Sequence, residues 1–389
     1  MKALNSIIIR EWKRIFSIPN YYVVLLVIPV LVFFFFGLIY QKQFAREFPV
    51  AVWDDDHSSV SRTLANMMDA TVGIHITEQA DSEQSILNLI QSGKIAAAVY
   101  FPKNMEADAK KGKPTAITLY TNASGLVASQ MIYKDAAQVI IKGGLAVILQ
   151  KSQRQGMPAD QAMALVQPVK LNTVTLYNPE FNYQQYLAPG LITVGLQMAL
   201  IIASVLILNL ELARNTIGEL LAISRSPSQI IVGKTLAHLA VSWISFILIF
   251  FVVFPVFGLD KPGTIFNLFI LFTLLSLACI GIGLMVSALS NNLLFTVDLA
   301  LFYTAPAFVF SGFTFPRSAM PWYDQYYAAA MPYTHFMDAF IRLYYMGLPP
   351  QYVTREMVIL LLFCGVTYPV AVLLFQFKIK KFRADETHI

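Results

Sequence analysis

The chain has 389 residues, 57% of them hydrophobic and 13% charged, with a mean hydropathy of +0.59. A soluble globular chain carries about 25% charged residues, so this composition excludes a soluble enzyme or binding module and defines an integral membrane protein. The net charge of +5 includes four bases in the first 14 residues and four in the last 12, beside apolar runs, which is a topology signal and not a nucleic-acid footprint.

Residues 3–18 predict an amphipathic helix, within an interfacial segment 1–20. Leu4, Ile7, Ile8, Trp12, Ile15 and Phe16 recur at three- and four-residue spacing, with Arg10, Lys13 and Arg14 opposite them. Such a helix lies on the inner membrane surface with its bases toward anionic lipid headgroups. Pro19 and Asn20 end it, and Tyr21–Tyr40 is long enough for a first span. Its length and the lack of a small-residue cleavage motif argue against a removable signal peptide.

Residues 41–184 are of soluble composition, enough for a compact domain. Strand-like runs at Phe48–Trp53, Gly73–Thr77, Ile95–Phe101 and Thr115–Thr121 alternate with helical patterns at Ser58–Asp69, Ser82–Gln91 and Pro102–Lys111. That alternation predicts a small α/β domain with partly parallel pairing. Asp81 is the expected N-cap of the second helix, and Gly93 and Gly112 fall just past two helix ends. A long helix is expected over Gly125–Gln155, loosened at Gly143-Gly144, followed by a helical return to the membrane at Tyr177-Asn-Pro. Asp54, Asp55 and Asp56 beside His57 suit a helix N-terminus better than a metal site.

Further spans are predicted at Leu187–Leu208, Ile230–Phe257, Phe266–Leu289, Leu293–Phe310 and Met357–Phe375, for six in all. Cys279 and Cys364 lie in apolar runs and read as small buried hydrophobes. Between spans two and three, residues 209–234 hold Glu211, Glu219, Arg214, Arg225 and Lys234, with Pro227 in a Ser-Pro-Ser turn. This reads as one short helix from Glu211 to Ile223, a proline break, and the next span. The segment is either a connecting loop or the handle through which a cytosolic motor moves the spans. On the second reading Glu211 and Glu219 share one face of the short helix, Arg214 is within reach of Glu211, and Glu211→Ala spares folding because only one interfacial contact is lost.

Residues 311–347 are aromatic-rich and broken by Pro316, Pro321 and Pro332, which predicts short helices dipping into the outer leaflet. Gln197 and Phe302 are candidates for a translocation path. Asp298, an acid inside span five, is either functional or paired with a base near the inner interface. The loop bases favour both termini inside and residues 41–184 outside.

The pieces together resemble the membrane subunit of a type-2 ABC exporter, in the drug-efflux permease branch with a large external domain. The resemblance is carried by Val50–Arg62, by Tyr177-Asn-Pro and Leu187-Ala-Pro-Gly190, and by Phe310-Ser-Gly-Phe313 with Pro316, Met320-Pro321, Pro332 and Arg342…Gly347. In the cytosolic loop Glu211, Thr216, Leu220 and Gly233-Lys234 fit the family pattern, whereas Leu212, Ala213, Asn215 and Gly218 depart from it. The resemblance implies a polytopic α-helical membrane protein of the bacterial cytoplasmic membrane, with six transmembrane helices and an external α/β domain between helices one and two. It implies no catalytic residues, metal or cofactor of its own, since ATP is bound by a separate cytosolic ABC ATPase. It also implies a homodimer or heterodimer with a similar permease, a periplasmic adaptor as a further partner, and contact with membrane lipids. Coupling would fall to Glu211, Arg214, Thr216, Glu219, Arg225 and Pro227. The outer gate would fall to Ser311, Gly312, Phe313, Pro316 and Pro321. A hydrophobic or amphipathic cargo suits the apolar, aromatic path. The rival classes are an ion-coupled secondary transporter using Asp298 and a membrane-anchored receptor or adaptor.

Overall fold

The computed structural model describes residues 2–39, 47–166, 174, 176–178, 182–259 and 264–387. It divides into two compact units, one of Met1–Gln43 with Leu176–Ile389 and one of Phe44–Thr175. The edges of the expected external domain at 41–46 and 179–181 lie outside the described residues.

The first unit opens with α1 (Lys2–Ser17), then α2 (Pro19–Tyr22), a π-helical turn (Val23–Val27) and α3 (Ile28–Ile39). The π turn has a local cause. Pro29 has no N–H to donate, and just before it the ladder shifts so that Ile28 N–H reaches the Val23 carbonyl.

The second unit carries β1 (Phe48–Asp54), α4 (Ser59–Asp69), β2 (Ile74–Gln79), α5 (Glu83–Gln91), β3 (Ala97–Phe101), α6 (Met105–Lys111), β4 (Thr118–Thr121), α7 (Leu126–Arg154) and α8 (Ala159–Val166). The sheet order is β2-β1-β3-β4, with β1 parallel to β2 and β3, and β4 antiparallel. Period-two alternation sends Val50, Ala97 and Val99 into a core with Leu64, Met68, Ile132 and Ala136, and sends Ala51 and Ala98 to the other face with Ile86. Ser58 and Ser61 form a reciprocal capping box at the start of α4. Asp54 accepts from Asp56 N, His57 N and Ser61 Oγ, so it organises the β1–α4 turn. The cap of α5 is Ser82, not Asp81: Ser82 Oγ accepts from Ser85 N at 3.3 Å. The expected loosening at Gly143-Gly144 is absent, and α7 runs unbroken for 29 residues. Gly143 is small for packing, since a Cβ there would lie 2.3 Å from Leu64 Cδ2.

The first unit resumes with α9 (Tyr183–Ala213), α10 (Ile217–Ile223), α11 (Pro227–Leu248), a second π turn (Ile249–Val253), α12 (Phe254–Val256) and α13 (Ile265–Leu289). Again the π turn lies two residues before a proline, Pro255. Then come α14 (Leu293–Thr304), α15 (Ala307–Phe310), α16 (Trp322–Ala329), α17 (Pro332–Phe340) and α18 (Thr354–Thr387). Among the described residues five helical segments are long and apolar enough to cross a membrane: Gln184–Ala213, Pro227–Val256, Ile265–Leu289, Leu293–Phe310 and Pro350–Lys380.

Helix α13 is central, and its Gly281-x-Gly283 pair explains how. A Cβ on Gly283 would lie 2.3 Å from Ser204 Cβ on α9, and one on Gly281 2.3 Å from Thr367 Oγ1 on α18. Small residues let membrane helices approach backbone to backbone. Two apolar cores result. One gathers Ile7 and Ile15 of α1 with Ile207, Leu220, Ile231 and Leu284. The other gathers Leu187 and Ile192 with Phe254, Phe272, Phe313 and Tyr333.

Candidate functional site

At the end of α9, the side chains of four elements converge on two buried carboxylates. Helix α9 does not stop before Glu211 but carries it in its last turn, and Asn215, at φ 53°, then reverses the chain into α10. Asn adopts this left-handed conformation more readily than most residues. Glu211 and Glu219 therefore sit on different helices, not on one face of a single short helix. What unites them is Arg10 of α1, whose guanidinium donates to Glu211 Oε1 at 2.7 Å and Oε2 at 3.1 Å and to Glu219 Oε2 at 3.3 Å.

Glu211, only 1% exposed, also accepts from Lys234 Nζ at 2.8 Å, from Thr216 Oγ1 at 2.5 Å and from Arg14. The expected partner Arg214 lies instead on the exposed side. Arg10 and Arg14, expected to face lipid headgroups, turn inward because a buried carboxylate offers them charge-assisted bonds in a dry setting. Burial would lower the affinity of Arg10 for its proton, but the Glu211 carboxylate outweighs this and raises it.

The second buried acid is Glu11 of α1, also 1% exposed. It lies between Ile7 and Ile15 at four-residue spacing, on the face that docks against α11. Its carboxylate receives Lys234 Nζ at 2.5 Å, and its other oxygen lies 3.4 Å from His238 Nε2. Lys234 and His238 are one turn apart on α11 and share a face. Burial would raise the Glu11 pKa, but the Lys234 ammonium and the His238 bond prevail and hold it well below the usual carboxylate range. The close approach of α1 needs Gly233, where a Cβ would lie 2.7 Å from Ile7 Cγ2.

Sequence reasoning missed Glu11 and His238. The signal was present: an acid at i+4 from one isoleucine and i−4 from another, and a Lys–His pair at i, i+4 inside an apolar span. Of the remaining handle residues, Thr216 starts α10 and turns its hydroxyl to Glu211, Arg225 is exposed, and Pro227 opens α11 behind the Ser226 N-cap. On α10, Ile217 and Leu220 are buried while Gly218, Glu219 and Ala222 are exposed.

The other core is closed by hydroxyl-to-carbonyl bonds. Tyr333 of α17 donates to the Gly190 carbonyl at 2.7 Å, Tyr345 to Tyr186 O at 2.7 Å, and Tyr186 to Phe313 O at 2.8 Å. Phe313 stacks on Tyr186 with centroids 4.9 Å apart, and a Cβ on Gly190 would lie 2.4 Å from its ring. Gly312, at φ +87°, turns the chain so that Phe313 enters this core; Ser311 is buried, and Pro316 and Pro321 precede a short 3₁₀ turn and α16. Gln197 is buried on α9, and its amide oxygen has no partner among the described residues. Asp298 and Phe302 are exposed together on α14, beside Leu294 and Phe295.

A bundle of long apolar helices, with a charged elbow at one end and broken aromatic helices at the other, defines a polytopic membrane transport protein. Comparison with known proteins resolves the family. The profile described as ABC-2 family transporter protein matches residues 21–373, and the chain belongs to that family. It is 21% identical over 373 residues to the probable multidrug ABC transporter permease YbhS of Escherichia coli, covering 94% of this chain and 96% of the relative. It is 21% identical to the probable multidrug ABC transporter permease YbhR of the same organism over 85% of this chain and 86% of that protein. The E. coli inner membrane transport permease YhhJ is 24% identical over 84% of this chain and 85% of its own length. The protein is therefore an ABC-type permease of a multi-pass membrane kind.

Proposed function

We propose that this chain is the permease subunit of an ATP-driven exporter for hydrophobic or amphipathic molecules, and that the Glu11–Glu211–Lys234 cluster couples it to a separate cytosolic ATPase. The observation carrying this reading is the cluster itself. It locks α1, the end of α9, the start of α10 and α11 into one corner, while α10 keeps an exposed side at Gly218, Glu219 and Ala222. A motor pressing on that side would push through Ile217 and Leu220 into the buried core. The ends of α9 and α11 would then move together as rigid bodies.

On this reading residues 21–40 are the first of six spans, both termini are cytoplasmic, and residues 41–184 are external. The exposed α14 face bearing Asp298 supports a dimer, because a carboxylate turned to lipid is costly and a second copy or a water-lined path between copies would cover it. ATP binds to the partner, and no cofactor is assigned to this chain.

The test is export from vesicles reconstituted with the chain and its co-purified ATPase. Transport that stops when the ATPase loses its catalytic residue, and that ion gradients cannot replace, fits the proposal. Transport sustained by an ion gradient alone would make it a secondary transporter. A neutral Glu211→Gln variant should still bind the ATPase, since the exposed side of α10 at Gly218, Glu219 and Ala222 is unchanged, yet export less per ATP, because the buried pairing to Lys234 and Arg14 that stiffens the corner is weakened. Export in strict proportion to bound ATPase would reduce Glu211 to a structural role.

A further inference from the structure

Within the second unit, the rear half of α7 does not rest on the sheet. Its buried residues Ser129, Ile132, Ala136 and Val139 all belong to the front half. Beyond them α7 touches α4 at Gly143, which packs on Leu64, and around that contact α4, α6, the segment Gly112–Ile117 and the rear of α7 line a cavity of about 820 Å³. Small-molecule sites fall in the range of roughly 300–1,000 Å³ and are mostly apolar with a few placed polar groups.

The lining is divided in this way. Leu64, Met105, Ile140 and Val147 supply apolar wall. Lys113, Lys151 and Arg154 stand around the cavity as well, and none of the three is in an ion pair among the described residues. The one lining acid, Glu106, is already taken by Lys110 at 2.5 Å and by Ser59 Oγ at 3.3 Å. The Lys151 ammonium is held over the end of α6, where a Cβ on Gly112 would lie 3.2 Å from its Nζ. Three unneutralised bases beside apolar wall are complementary to one kind of ligand: an apolar chain ending in an anionic head. We propose that this cavity binds an amphipathic anion, a single-chain carboxylate or phosphate, with the chain along Leu64 and Val147 and the head at Lys151 and Arg154. A neutral apolar ligand would leave the bases without partners, and a cation would be repelled by them. The site lies within one unit and stands independently of the coupling reading.

The experiment uses the full chain in phosphatidylcholine nanodiscs and two photoreactive probes of equal length, a diazirine-bearing hexadecanoate and the corresponding hexadecylamine. Labelling of residues 140–154 is read by mass spectrometry. The carboxylate should label this stretch in preference to the amine, and Lys151→Glu with Arg154→Glu should lower carboxylate labelling about tenfold while raising that by the amine. Lys151→Gln should give an intermediate loss, and Val147→Trp should block both probes by filling the cavity. Unchanged exchange protection of β1 would confirm that each variant is folded. Equal labelling by both probes, insensitive to the charge reversal, would overturn the proposal in favour of unspecific apolar adsorption. Absence of labelling in folded wild type would overturn it outright. Labelling of the purified chain that disappears in native membranes would mean that a protein partner covers the groove, which also overturns it.

Discussion

Replacing Glu11 with Gln removes one charge and almost no volume from the centre of the corner. Lys234, which is fully buried, would keep only Glu211 at 2.8 Å, and the contact to His238 would lose its charge. Removing one partner of a buried ion pair costs about 3–5 kcal/mol. The lower end applies, because Lys234 retains a second carboxylate and the Gln oxygen still accepts a hydrogen bond. About 3 kcal/mol is roughly a hundredfold in an equilibrium, at 1.4 kcal/mol per tenfold. The equilibrium is the release of α1, still opposed by burial of Ile7 and Ile15. Amide exchange of residues 8–15 in nanodiscs should therefore speed up about a hundredfold in Glu11→Gln, while exposed Lys13→Gln changes nothing. Because the Glu11 pKa is depressed, its contribution is complete above the ordinary carboxylate value and is lost only as pH falls through the depressed one. Wild-type protection, corrected for intrinsic exchange, should thus be the same at pH 9 and pH 7.5, a window above the ordinary range of the neighbouring His238 imidazole, about 6.5. A change of less than threefold in Glu11→Gln would refute the argument and leave apolar burial as what holds α1.

Further outcomes follow from other contacts. Gly233→Leu should undock α1 as well, because the added side chain would occupy the place of Ile7; exchange over residues 3–15 checks this. Phe313→Ala should cost about 3–5 kcal/mol of local packing and raise leak of a small dye from reconstituted vesicles, since Phe313 fills the space over Gly190. An unchanged leak would make Phe313 ordinary packing. Lys111→Cys, at an exposed helix end, should react with a membrane-impermeant thiol reagent in intact spheroplasts. Reaction only after lysis would invert the topology.

Much of this arrangement was legible in the sequence where one local rule dominates. The four strands and three intervening helices of the second unit follow from apolar alternation, and Gly112 ends α6 in the left-handed conformation expected of it. The reading failed where tertiary contact overrides local preference. Gly143-Gly144 looks like a helix breaker, yet its smallness admits Leu64 and the helix continues. Glu211 reads as the start of a separate short helix, but Arg10 and Arg14, about 200 positions away in sequence, pair with it and α9 runs on through it to Ala213. Glu211→Ala is accordingly expected to destabilise the corner rather than spare it. The nearby Arg214 was the obvious partner by spacing, and spacing says nothing of a base brought in by another helix.

The two ends of the bundle are joined by different chemistry, and the difference bears on which of them moves. An apolar helix face can slide on another at little cost. Buried charges cannot, since a one-residue slip of α1 would shift Glu11 by about 1.5 Å and rotate it by roughly 100°, breaking its contacts to Lys234 and His238 together. Buried ion pairs rarely add net stability over apolar packing, and fixing register is their best-attested use. The corner is thus stiff against sliding, which is what transmission of a push requires. At the other core the contacts are hydroxyl-to-carbonyl bonds from Tyr186, Tyr333 and Tyr345, each worth about 1 kcal/mol net, and two ion pairs, Arg317–Asp338 and Arg342–Glu356, whose half-exposed arginines are screened by solvent. They can open one at a time, for a fraction of the cost of removing a charge from the corner. On the proposed coupling reading, a push delivered at α10 would pass through the charged elbow and be released where the aromatic helices part.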